Sequence, residues 1–212
     1  MNELYISQLC TIALVHLLAV ASPGPDFAII VRQSISHGRA TALWSSLGVA
    51  CGILIHVCYC LLGIGVIVSQ SILAFTLMKL VGACYLFYLG IRCLAARPQN
   101  QAILVGEKAC QTPTIRQAIW TGFLTNGLNP KATLFFLSLF TVVIQPATPL
   151  PIQVGYGLYM AVATGIWFSL LSLFFGHAPV RSSFLKIGHW FERLTGAVLI
   201  LLGLKLATTA NH

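Results

Sequence analysis

Residues 4–25, 40–78 and 132–180 contain no Asp, Glu, Lys or Arg. The last two stretches are each too long for a single membrane crossing of about 20 residues. Divided at their polar and proline-rich points, they predict six spans, near 4–31, 41–68, 73–95, 116–144, 152–176 and 188–208. All six are read as helices, because a bilayer leaves few other ways to satisfy a backbone. "QPATPLP" (145–151) is a clear break, and "ARPQNQAILVGEKACQTP" (96–113) is the only long polar connector. The chain is therefore read as one transmembrane domain, with a first half of about 1–97, a connector of about 98–115 and a second half of about 116–212.

The two halves resemble each other. "SPGPDFAII" (22–30) and "GLNPKATLF" (127–135) align with a shift of 105, which places Pro25 over Pro130, Asp26 over Lys131 and Gly52 over Gly157. "GACYLFYLGIRCL" (82–94) likewise matches "GAVLILLGLKLA" (196–207) with one residue deleted. Three spans per half is an odd number, so the second copy is expected to be inverted in the bilayer. This is the plan of secondary transporters whose discontinuous helices meet near the midplane.

Composition agrees with a membrane protein: 58% of residues are hydrophobic and 8% charged, against the roughly 25% charged content of soluble domains. The net charge of +8 does not point to nucleic acid, because the 12 Lys and Arg are scattered and form no dense run. Arg32 and Arg39 fall in the first loop, Arg97, Lys108 and Arg116 in the third, and Arg181 and Lys186 in the fifth. By the positive-inside rule the segments near 32–40, 96–115 and 177–187 are expected to be cytoplasmic and both termini periplasmic. Lys79 and Lys205 would then lie near the outer face. Ala19-Val20-Ala21 mimics a signal-peptide cleavage site, but no basic region precedes it and Pro-Gly-Pro follows, so cleavage is not expected. The seven cysteines fall mostly in apolar stretches and are read as small buried residues, with no disulfide framework. Trp44, Trp120, Trp167 and Trp190 are read as interfacial anchors or packed residues.

The chemistry concentrates at two breaks. Pro25 removes a backbone donor and strains the preceding turn, so the first span is expected to break around Ser22, Pro23, Gly24 and Pro25. Asp26 would then sit in the first turn of a half-helix, where free amides favour an anion. In the fourth span Asn129 is a candidate N-cap and Pro130 a candidate first helical residue. Lys131 then lies at the positive end of a helix, which is unfavourable without compensation. A charge inside a membrane costs at least about 2.5 kcal/mol, so the acid and the lysine suggest an ion pair, a shared substrate site, or both in alternation. A zwitterionic amino acid suits such a site. The blander reading is that the pair only locks the two halves together. His16 and His56 are candidate proton relays, though a neutral histidine bonded to a neighbouring helix is the simpler reading of each. His56 and Cys60 share a helix face, but no metal site is assigned, and no cofactor motif is present. Glycines 48, 52, 63, 65, 82, 90, 122, 127, 155, 157, 165, 196 and 203 are expected to allow close helix approach.

"SPGPD" in the first span, "NPKA" in the fourth and "GACYLFYLGIR" in the third resemble the lysine exporter family in its homoserine/threonine-resistance branch. The resemblance covers essentially the whole chain in length, span number and motif order. It implies a bacterial inner-membrane protein that exports an amino acid or close derivative from the cytoplasm, driven by the proton gradient. It also carries Ser22 to Asp26 and Asn129 to Lys131 into the functional site. Family members hold Asp or Asn at the position of Asp26, which suits a role in substrate choice. "SPGPDF" is most similar to threonine exporters, and a homodimer stays open. Two alternatives compete with this reading: a divalent-cation exporter, which needs a cluster of metal ligands, and a non-transporting scaffold, which leaves the paired helix breaks without a purpose.

Overall fold

The computed structural model describes residues 2–70, 90–95, 112–145, 147–175 and 193–201, together with residues 77, 80, 83, 84, 87, 88, 189, 190, 203 and 204. The described elements are all helical: α1 (Asn2–Ala21), α2 (Pro25–Ser36), α3 (Arg39–Gln70), α4 (Ile115–Gly127), α5 (Pro130–Val142) and α6 (Leu150–Phe174). Parts of α1 and α3 and the whole of α6 are long and apolar enough to cross a membrane. Large apolar side chains such as Leu14, Leu17, Leu54, Leu158 and Val162 are exposed along them. Most of the connector at 98–115 and the segment 177–187 lie outside the described residues, as do Lys79 and Lys205. So do large parts of the expected third and sixth spans.

Both expected breaks are present. The first span splits at residues 22–24, and Pro25 opens α2 with Asp26 in its first turn. The fourth splits at residues 128–129, and Pro130 opens α5 behind an Asn129 cap. The segment expected to be a loop near 32–40 is much shorter. α2 runs on to Ser36, and the chain turns over His37 and Gly38, whose φ of +88° is a left-handed conformation suited to glycine. Arg32 therefore stands on a helix and Arg39 begins the next.

The bundle is organised by α3, which makes its most extensive contact with α4 and the next with α6. The α3–α4 crossing has almost no side chain in it. A Cβ on Gly48 would overlap the carbonyl oxygen of Ile119, and one on Gly122 would overlap the carbonyl oxygen of Ser45. Ser45 Oγ donates to the carbonyl of Ala118 at 3.1 Å across the same crossing. Small residues at 45, 48 and 52 thus face 118, 122 and 126, which lets the backbones touch. Gly90 and Gly196 form a similar contact between the later helical residues. A Cβ on Gly63 or Gly155 would meet nothing within 4 Å among the described residues, so these two glycines mediate no approach there.

The cysteines also depart from expectation. Cys60 and Cys93 are buried, but Cys10, Cys51, Cys58 and Cys84 are exposed, and all six are free thiols. An outward face in lipid is as apolar as the inward one, so nothing drives these small side chains inside. Trp44, Trp120 and Trp190 are exposed, while Trp167 packs against a cluster of Phe27, Phe168 and Phe175.

Candidate functional site

The two breaks meet. Ser22, Gly24, Asp26, Asn129 and Lys131 line one cavity of about 50 Å³, together with His16 and Asn126. Phe27, Phe135, Phe136 and Phe168 supply apolar wall. The volume leaves room for a few waters or a small polar group.

Asp26 is the acid of this cavity. Its Oδ2 accepts from Asn126 Nδ2 at 2.9 Å and from Asn129 Nδ2 at 3.2 Å. Its Oδ1 is buried and finds no donor among the described residues. A buried acceptor left unmade costs roughly 1–3 kcal/mol, so the second oxygen is a standing invitation to a cationic or protonated group. Lys131 Nζ donates to Ser22 Oγ at 3.0 Å, bridging one break to the other. Its ammonium also acts electrostatically on the Asp26 carboxylate.

The two half-helices differ at their starts. Asn129 Oδ1 accepts from the backbone amide of Lys131 at 3.0 Å, so α5 is capped by its own side chain. α2 has Gly24 at the N-cap and no side-chain cap. The positive end of α2 therefore stays available to an anion, and Lys131 reaches over the same glycine. Gly24 itself is extended, at φ −173° and ψ −171°, which any residue adopts. A Cβ there would stand 3.5 Å from Lys131 Nζ, an ordinary contact. Gly24→Ala is thus expected to insert normally and to keep activity within about twofold of wild type, measured as efflux per membrane-embedded protein. A tenfold loss would show that this glycine serves close ligand approach.

Of the two candidate histidines, His16 lines the cavity and its Nε2 lies 3.1 Å from Thr164 Oγ1. His56 is fully buried behind the wall, with Nε2 3.0 Å from the main-chain oxygen of Asn126 and Nδ1 2.9 Å from the Tyr59 hydroxyl. Cys60, on the same helix, is buried. Among the described residues no three of His, Cys, Asp and Glu gather closely enough to hold a metal ion.

Asn126 is the residue that sequence reasoning missed. It carries no charge, it lies inside a predicted helix, and the repeat offers only Ala21 opposite it. Its side chain holds Asp26 while its backbone oxygen holds His56. Gly52 makes space for it, since a Cβ there would come within 2.8 Å of Asn126 Oδ1. An amide three residues before the Asn129 cap was the available signal.

The family model described as LysE type translocator matches residues 17–210. The chain belongs to this family. It is accordingly a multi-pass membrane transporter and not an enzyme. Among relatives of this LysE type translocator, a threonine efflux protein of Escherichia coli K12 is 27% identical over 196 residues, covering 92% of this chain and 95% of that protein. A threonine efflux protein of Salmonella typhi is 26% identical with the same coverage. An uncharacterized membrane protein of Bacillus subtilis is 25% identical over 89% of this chain and 92% of its own length. No solved structure matches.

Proposed function

We propose that the protein exports a small neutral amino acid, of the threonine or homoserine kind, from the bacterial cytoplasm in exchange for protons. The observation that carries the reading is the shared cavity, in which the unmatched Oδ1 of Asp26 and the ammonium of Lys131 stand at the starts of two half-helices. The substrate ammonium would bind Asp26 Oδ1. Its carboxylate would bind Lys131 and the uncapped start of α2, where the helix dipole favours an anion. The apolar wall of Phe135, Phe136 and Phe168 would take a short side chain. The threonine efflux proteins among the relatives support the substrate class.

In this proposal the chain forms six spans arranged as two inverted three-helix repeats in the inner membrane. The segments near 32–40, 96–115 and 177–187 face the cytoplasm and both termini face the periplasm. Alternating access then exposes the cavity to one side at a time.

The test loads cells with dipeptides and follows efflux of labelled threonine, homoserine, leucine, lysine and arginine with and without the protein. Selective efflux of threonine or homoserine is expected. Export of lysine or arginine alone would replace the substrate class, and no flux of any of the five would overturn the reading.

A further inference from the structure

His56 lies on α3 behind the part of the cavity wall formed by Asn126 and Phe136. Its ring stacks on Phe136, with centroids 5.5 Å apart and planes at 12°, and meets Tyr59 edge-on at 5.6 Å. Nε2 is 3.0 Å from the Asn126 main-chain oxygen. Nδ1 is 2.9 Å from the Tyr59 hydroxyl, which in turn lies 3.0 Å from the carbonyl of Thr133.

Counting protons along this chain shows one place to spare. A carbonyl only accepts, so Nε2 must carry a hydrogen toward Asn126. Tyr59 has one hydroxyl proton and two neighbours able to take it, Nδ1 and the Thr133 oxygen. With a neutral ring the phenol donates to Nδ1. With Nδ1 protonated, the ring donates to the phenol oxygen and the phenol proton turns to Thr133. Both states leave the ring fully bonded, and passing between them moves no heavy atom. A second observation favours the charged state: Asn126 is in the last turn of α4, the negative end of the helix dipole, and its carbonyl, which also accepts from Asn129 N at 2.9 Å, points its remaining lone pair at the ring.

We infer that His56 is the proton-binding site of the transporter, and that its occupancy opposes occupancy of Asp26 by a substrate ammonium. This rests on the proposed amino-acid and proton exchange. Asn126 joins the two sites, holding the ring with its backbone oxygen and the carboxylate with its side chain. Among the described residues the titratable and charged groups around the ring are Tyr59 and Cys60 on its own helix, Asp26 on α2, and Lys131 on α5 across the cavity. His16 on α1 makes a T-shaped contact with the same Phe136. The Asp26 carboxylate attracts a proton to His56, and an ammonium bound at Asp26 cancels that attraction. Substrate arrival therefore drives the Nδ1 proton onto the oxygen of the half-buried Tyr59, which releases a proton outward in exchange, and substrate departure runs the relay in reverse. The linkage is reciprocal, as any coupling between two binding sites must be.

The experiment is nitrogen NMR of the whole protein in lipid nanodiscs, with histidine rings labelled and His56→Gln used to identify the signals among the six histidines. If that variant fails to insert, the signals are identified by their displacement in Tyr59→Phe. Lowering the pH stepwise from about 8 to about 4, which spans the ordinary histidine titration and reaches below it for a buried ring, should convert the His56 signals to the imidazolium form. At a fixed pH within that range, Asp26→Asn should shrink the imidazolium fraction several-fold, and saturating threonine should do the same in the wild-type protein. A ring that keeps one state throughout, or an imidazolium fraction indifferent to Asp26→Asn, overturns the inference. If the ring responds to Asp26 but to no amino acid, the proton site stands and the substrate reading falls. Threonine export alongside a silent His56 overturns the inference alone.

Discussion

Asp26→Asn should lower amino-acid efflux by roughly tenfold to a hundredfold while leaving the protein folded and inserted. The reason lies in which oxygen does what. Oδ2 is held by Asn126 and Asn129, and an asparagine at position 26 keeps an oxygen there to accept both bonds. Its amide nitrogen then replaces Oδ1, turning that open acceptor into a donor aimed at the cavity. A hydrogen bond to a charged group contributes about 1.5–3 kcal/mol, and each 1.4 kcal/mol is a tenfold change in affinity. Efflux normalised to membrane-embedded protein, with a melting curve in detergent, separates the two effects. The melting temperature should fall modestly, because the Lys131 ammonium loses the carboxylate that compensates it while both bonds to the oxygen in the Oδ2 position are kept. Unchanged flux in the double variant Asp26→Asn with Lys131→Gln would sink the assignment of both residues to substrate.

The second large effect belongs to the crossing of α3 and α4. Gly122→Val should abolish correctly folded protein, read as loss of a monodisperse peak after detergent extraction. Overpacking an ordinary core costs about 1–3 kcal/mol because side chains give way, but here the obstacle is the main chain of Ser45 and Val49. Pushing the helices apart also breaks the Ser45 bond to Ala118 and moves Asn126 away from Asp26 and His56. Gly155→Ala is the control, since a Cβ there meets no described residue within 4 Å, and it should behave as wild type. Normal folding of Gly122→Val would mean that the two helices do not touch as closely as described.

The sequence made the breaks legible because they are written in backbone chemistry. Proline cannot donate and asparagine caps, so Pro25, Pro130 and Asn129 announced the starts of α2 and α5 wherever the surrounding helices went. The small-residue pattern at 48 and 52 was visible too, although only the structure gives it Gly122 and Asn126 as partners. Helix rotation was not legible. In water, the polar face of a helix marks the outside; in lipid both faces are apolar, so Cys51 and Cys58 could not be told from Cys60, nor Gly155 from Gly157. The chain through Asn126, His56, Tyr59 and Thr133 was hidden for the same reason, since it links positions on three helices whose facing depends on how the breaks bend.

The asymmetric start of the two half-helices has a consequence for how the two breaks share their work. Positions 24 and 129 fall together when the sequence is aligned on itself with a shift of 105, yet one is a bare glycine and the other an amide that both caps its own helix and grips Asp26. Exchanging these two residues asks whether the two breaks are interchangeable. The arrangement assigns the copies separate trades: one furnishes the receptor, and the other furnishes the tools that shape it. Swapping glycine and asparagine between the two breaks would move the vacant helix start from α2 to α5 while Asp26 and Lys131 stay in place, so both features proposed to hold a carboxylate would come to lie on the same half-helix.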